Sequence, residues 1–261
     1  MRQIFATLVV FILLFSMLGC TAVATQTPLV TFEAVGETTD PIGTATPEKN
    51  PPSSTEAPKE KNKGLVVIDP YWHSDVNVFG GDKDVVKNRD LWNVTLGDGQ
   101  YQWLKQTLEG STAKYKFVFT HHVHGTGRGG IELANLFEWG GKDRKGADKF
   151  AQYRPGWDKP IHQLMADNHV TIFFQGHDHI FVRQEFDGVI YQTLPEPADP
   201  NYTLDNAEAY KSGDKLPNSG YVRVSVSPAG VTVEYIRSFL PQDEKEGQTD
   251  GQIAFSYTVQ P

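Results

Sequence analysis

From Gly64 onward the apolar residues follow an order of periods that restricts the fold more than any other feature of the chain. GLVVID (64–69), KYKFVFTHH (114–122) and VTIFFQGHDH (170–179) are short apolar runs with the β-branched and aromatic content of buried strands. Between the first two, QYQWLKQTLEG (100–110) places Tyr101, Leu104 and Leu108 at helical spacing and stops on Gly110. Between the second and third, KPIHQLMADN (159–168) does the same with Ile161, Leu164 and Met165. IFVRQEFDGVIYQTL (180–194) then turns at Asp187-Gly188, and GYVRVSVSPAGVTVEYIRSF (220–239) turns at Pro228-Ala229-Gly230. AFSYTV (254–259) reads as a last strand. Strand, helix, strand, helix, strand and then antiparallel hairpins predict a mixed α/β (α+β) domain of layered sheets over residues 64–261.

What precedes Gly64 has a different composition. Residues 1–20 carry one Arg, an apolar run from Ile4 to Leu18, and Leu18-Gly19-Cys20. The run is shorter than the ~20 residues of a membrane-spanning helix and suits the apolar region of a signal peptide. The ending resembles a bacterial lipoprotein signal, which implies cleavage before Cys20 and lipid on its thiol. An uncleaved short anchor and an ordinary signal peptide are the alternatives, and all three place the domain outside the cytoplasm. Cys20 is the only cysteine, so no internal disulfide can form. Residues 21–63 are rich in Thr, Pro, Ser, Glu and Lys without a sustained apolar period, the composition of a disordered tether. A flexible chain of that length spans on the order of 40 Å. With 32 acidic against 24 basic residues the net charge is -8, and no basic patch marks a nucleic-acid binder.

Two of the expected strands end in histidine: His121 and His122 close one, His177 and His179 the other. Strand C-termini are where α/β folds gather ligands, and four of the eight histidines fall at these two ends. A His-x-His pair in extended backbone would send both rings to one side, and neutral imidazole is a common ligand for Zn, Fe or Mn. Loop histidines with ordinary hydrogen bonds are the plainer alternative.

The pair KFVFTHH and, about fifty residues later, GHDH resembles the last two blocks of the calcineurin-like metallophosphoesterase family, and LGDGQYQWLKQTLEG resembles the helix before the fourth block. The resemblance implies a sandwich of two sheets flanked by helices, two divalent metal ions, and hydrolysis of a phosphomonoester or phosphodiester by activated water. Carried over, His121, His177 and His179 would be metal ligands, with His122 a catalytic neighbour. His124 and Arg128 of the Gly-rich loop THHVHGTGRGG (120–130) would touch substrate. Asp178 would lie behind the ligands or face solvent.

The family's earlier blocks (Asp-x-His, Gly-Asp, Gly-Asn-His) have only lookalikes here: Asp69 with His73, Asp98, and Asn168-His169. Gly64 is therefore expected to enter the fold midway, giving a partial sandwich whose first half is missing. Three imidazoles without a bridging carboxylate suit one ion or none, and the open sheet edge would invite a second chain that completes the fold. A truncated enzyme, a non-catalytic cell-surface lipoprotein and a one-zinc protein are the competing readings. Trp139, Trp157, Tyr153 and His162 are expected to pack rather than react.

Overall fold

The computed structural model describes residues 6–9, 63–71, 73–74, 90–121, 123 and 128–261. Cys20 and residues 21–62 of the expected tether lie outside them, as do His122 and His124, while Lys63 opens a strand. Strands are β1 (Ala6–Val9), β2 (Lys63–Val67), β3 (Tyr115–Phe119), β4 (Ile172–Gln175), β5 (Phe181–Phe186), β6 (Val189–Thr193), β7 (Asp214–Leu216), β8 (Gly220–Ser227), β9 (Gly230–Arg237) and β10 (Ile253–Val259). Helices are α1 (Gly97–Gly110), α2 (Ile131–Ala134), α3 (Phe137–Gly140), α4 (Phe150–Tyr153) and α5 (Ile161–Asp167).

They build two sheets, ordered β2-β3-β4-β6-β5-β7 and β1-β8-β9-β10. In the first, β2, β3, β4 and β6 run parallel, while β5 is antiparallel to β6 and β7. The second is antiparallel throughout, and β1, from the signal-like segment, pairs along Arg223–Val226. The fold is thus mixed α/β with two layered sheets, as the order of periods predicted.

Period-2 alternation divides the core between the two layers. Val118 and Phe173 pack under the helices with Leu104, Leu108, Leu164 and Trp139. Tyr115, Phe117, Ile172 and Phe174 face the antiparallel sheet and meet Val222, Val233 and Tyr235. Both faces of β3 and β4 are covered, which is why these runs are apolar without a polar face. Each such side chain contributes about 1.5–3 kcal/mol by leaving water. Strand β2 lies at the border of its sheet and leaves Leu65 and Val67 47% and 70% exposed. The β5–β6 hairpin turns with positive φ at both Asp187 (46°) and Gly188 (77°), the pair of left-handed positions that a tight hairpin requires.

Trp139 and Trp157 are core residues, as expected, and Tyr101 stacks on Trp157 at 3.9 Å between centroids. His162 is also structural. It is buried against Phe186, with Nδ1 2.8 Å from the Tyr191 hydroxyl and Nε2 3.1 Å from Asp187 Oδ2. Burial lowers its pKa from the ordinary 6.5, and the Asp187 hydrogen bond only partly opposes this. The unfolded chain therefore binds more protons between the folded value and about 6.5. The contribution of neutral His162 is complete above that window and falls as the pH drops through it. Thermal unfolding from pH 7.5 to 5.5 is expected to show declining stability, with a shallower decline in His162→Gln. An unchanged slope in the variant contradicts the assignment.

Candidate functional site

The parallel ladder continues past the ends of β3 and β4. Thr120 N–H donates to Phe174 O (3.0 Å) and Gly176 N–H to His121 O (2.8 Å), so the two histidine-bearing ends stay side by side. His121 Nε2 and His177 Nδ1 come within 3.2 Å, their rings edge to face at 76°. Burial lowers the pKa of both rings. For His121 the neighbouring His179 adds to the shift, and for His177 Asp178 opposes it while His121 and Arg128 reinforce it. Near neutral pH both are therefore neutral imidazoles, the form that ligates a metal.

His177 and His179 do not lie in extended backbone. Both occupy the left-handed region, at φ 71° and 57°, and Asp178 N–H donates back to Gly176 O (2.9 Å). The extended backbone that the sequence suggested is therefore absent, and the two rings take different hydrogen-bonding partners. His177 meets His121, whereas His179 Nδ1 lies 2.8 Å from Glu196 Oε2, in the segment after β6.

The same turn drives Asp178 inward, to 2% exposure, so it does not face solvent. It accepts hydrogen bonds from Arg128 Nη1 (2.9 Å), Gly129 N (2.9 Å) and the Tyr210 hydroxyl (2.6 Å). Burial and the adjacent carboxylate push the Tyr210 pKa well up, so its hydroxyl remains a donor. Gln175, the last residue of β4, accepts from Val123 N (3.1 Å) and donates to Gly129 O (3.1 Å), tying these two residues to the sheet. Arg128 is thereby placed beside the histidines. Gln175, Glu196 and Tyr210 carried no motif, although a Gln ending an apolar run is a weak sign of a buried polar partner.

The lookalike residues make contacts of their own. Val67 pairs with Phe119, so Asp69 leaves the sheet level with His121 on the neighbouring strand. It is exposed, and its Oδ1 accepts from Tyr71 N (2.9 Å). Asp98 accepts from Trp157 Nε1 (2.7 Å) in the first turn of α1. It lines a cleft of about 490 Å³ with His73, Tyr153 and Arg154. Asn168 and His169 close α5: Asn168 is its C-cap and His169 turns the chain at φ 53°.

Among the described residues, no group of three or more His, Cys, Asp or Glu side chains is arranged to hold a metal ion. The 3.2 Å between the two ring nitrogens is the spacing of two donors each about 2.0–2.1 Å from a shared ion. The residues present therefore fit two ligands of one divalent ion and do not fit a two-ion centre with a bridging carboxylate. Among the described residues, no helix is long and apolar enough to cross a membrane.

Fold and site define a two-sheet α/β chain with a part-buried histidine pair at the C-terminal ends of adjacent parallel strands. No family model and no curated protein matches it. Among solved structures it is similar to PhoD, at 15% identity and a TM-score of 0.46 over 77% of this chain and 40% of that one. It is also similar to GAP50, the anchor in the inner membrane complex of Plasmodium, at 12% identity and 0.43 over 76% and 49%. A dimetal phosphatase from Danio rerio is similar at 13% identity and 0.38 over 77% and 58%. The chain thus spans between two fifths and three fifths of these structures, and at such identities and scores no activity passes from them to it.

Proposed function

We propose that the chain is a metal-dependent phosphoester hydrolase of the metallophosphoesterase type, working at a site centred on His121 and His177. The observation that carries this is the neutral pair itself, two ring nitrogens 3.2 Å apart where two parallel strands end. His121 and His177 would hold one Mn, Fe or Zn ion. When bound, such an ion supplies Lewis acidity and activation of water. In the reaction the oxygen of water adds to phosphorus, the ester P–O bond breaks, and the leaving oxygen takes a proton. The proton lost by the water would pass to Nε2 of His179, whose Nδ1 is held by Glu196, and from there to the leaving oxygen. The test is hydrolysis of p-nitrophenyl phosphate by the purified chain with and without added Mn²⁺ or Zn²⁺. Metal-stimulated turnover is the expected result, and no turnover with any of these ions sinks the reading.

The engagement of His179 with Glu196 favours one second reading: a cell-surface module that keeps the fold for binding alone. A stable metal-free chain that binds ligand without turnover would select it. In either case the lipoprotein-like ending at Cys20 would hold the domain on the outer face of a membrane. Cys20→Ala is then expected to move the protein from the membrane to the soluble fraction, and retention on the membrane contradicts lipid anchoring.

A further inference from the structure

We infer that Asp178 is a positioning residue that fixes Arg128 as a clamp for a terminal phosphoryl group, so that the substrate class is the phosphomonoester. This rests on the hydrolase reading of the histidine pair and adds the substrate to it.

Asp178 stands between the two site histidines in sequence and is buried. A carboxylate with 3% of its side chain exposed is costly unless its oxygens are filled. Here three donors fill them, and one is a guanidinium. Gly129 presents its N–H from a left-handed turn at φ 124°, where an added Cβ would lie 3.1 Å from Ala209 O. Tyr210 is itself buried and held behind by Thr193 Oγ1 at 3.1 Å. The anchor is therefore fixed on every side that packs against protein.

Arg128 contrasts with this. Its side chain is 45% exposed, and Nη1 is its one atom bonded to Asp178. A guanidinium has five N–H donors in a planar fork, so the rest of the fork is left for a ligand. The position is also close enough to His177 for the guanidinium charge to disfavour protonation of that ring. Because Asp178 balances the charge, the clamp acts through directed donors more than through bulk attraction. A planar fork takes two oxygens of one phosphoryl group. A terminal phosphoryl has three non-bridging oxygens, two for Arg128 and one for the histidine side. A diester has two and a single negative charge, so it meets the same partners with fewer oxygens and less charge.

The experiment uses the full chain with Mn²⁺ and three probes: inorganic phosphate, p-nitrophenyl phosphate and bis(p-nitrophenyl) phosphate. Titration calorimetry with phosphate is expected to show binding that weakens on the order of ten- to a hundred-fold in Arg128→Gln, the worth of a charged hydrogen-bond pair. Arg128→Lys is expected to fall between, since an ammonium cannot make the two-point contact. Asp178→Asn should weaken phosphate to a similar degree, and adding it to Arg128→Gln should cost no more, a non-additivity that mere destabilisation would not give. Tyr210→Phe, which keeps the carboxylate, serves if Asp178→Asn does not fold. Equal phosphate affinity in wild type and Arg128→Gln, no phosphate binding by the wild type, or a preference for the diester overturns the inference. Phosphate binding lost in Arg128→Gln without turnover by any form leaves the clamp and removes the hydrolase. Turnover indifferent to Arg128→Gln does the reverse.

Discussion

Replacing His177 by Ala is expected to lower metal-stimulated hydrolysis of p-nitrophenyl phosphate by at least about 100-fold, since even residues one shell away from a metal typically cost 10–100-fold. The loss should come with little change in stability. The His177 ring is part-buried at the strand end, outside the two main apolar clusters, and a 3.2 Å hydrogen bond joins it to His121. Alanine meets the same left-handed backbone at φ 71° that histidine already tolerates there. The change in folding free energy should therefore stay within about 1 kcal/mol. His121→Ala should behave alike, because one imidazole without the other leaves a single donor. Comparing kcat/KM with the thermal midpoint separates the two effects. Activity retained in both variants would show that the pair is not the centre of the site.

Arg154→Ala is expected to cost about 3–5 kcal/mol, the usual penalty for stranding one partner of a buried ion pair. Glu138 is 1% exposed, and its Oε2 accepts from Arg154 Nε (3.0 Å) and Nη2 (2.8 Å). Its Oε1 accepts from Leu96 N (3.0 Å), at the start of α1. Arg154 also donates to Trp92 O and lies over the rings of Trp92 and Trp157, 5.7 and 5.2 Å from their centroids. One pair thus joins the turn at 91–93, the start of α1, α3 and the residue after α4. Burial pushes the Glu138 pKa up while Arg154 opposes the shift. Without the guanidinium the carboxyl would take up a proton, which moderates the loss without removing it. Replacing both partners, Glu138→Gln with Arg154→Met, should cost less than the single change. Urea unfolding midpoints measure this, and a loss below about 1 kcal/mol for Arg154→Ala would contradict the keystone role.

The strands and helices after Gly64 were legible because each obeys one period over enough residues to show it. Val118 and Phe173 alternate with Phe117 and Phe174 between two packed layers, and Tyr101, Leu104 and Leu108 return to one face of α1. The stretch 131–153 gave no helix in the sequence because α2, α3 and α4 have four residues each, too few to display a helical period. The buried Glu138–Arg154 pair was hidden with them. At the site, the meeting of His121 with His177 follows from adjacent strand ends and was anticipated. The contact of His179 with Glu196 and the left-handed turn around Asp178 were not. The His179 partner Glu196 sits 17 residues further on, and the Tyr210 that holds Asp178 lies 32 further on. Such contacts are set by tertiary packing and leave no periodic trace.

The central claim is that His121 and His177 together bind a divalent ion. Calorimetric titration of Zn²⁺ and Mn²⁺ into the EDTA-treated full chain tests it most directly. The account predicts about one ion per chain, with binding lost in His121→Ala and in His177→Ala while His162→Gln binds normally. No binding by the wild type, or the same stoichiometry and affinity in all three variants, would contradict it.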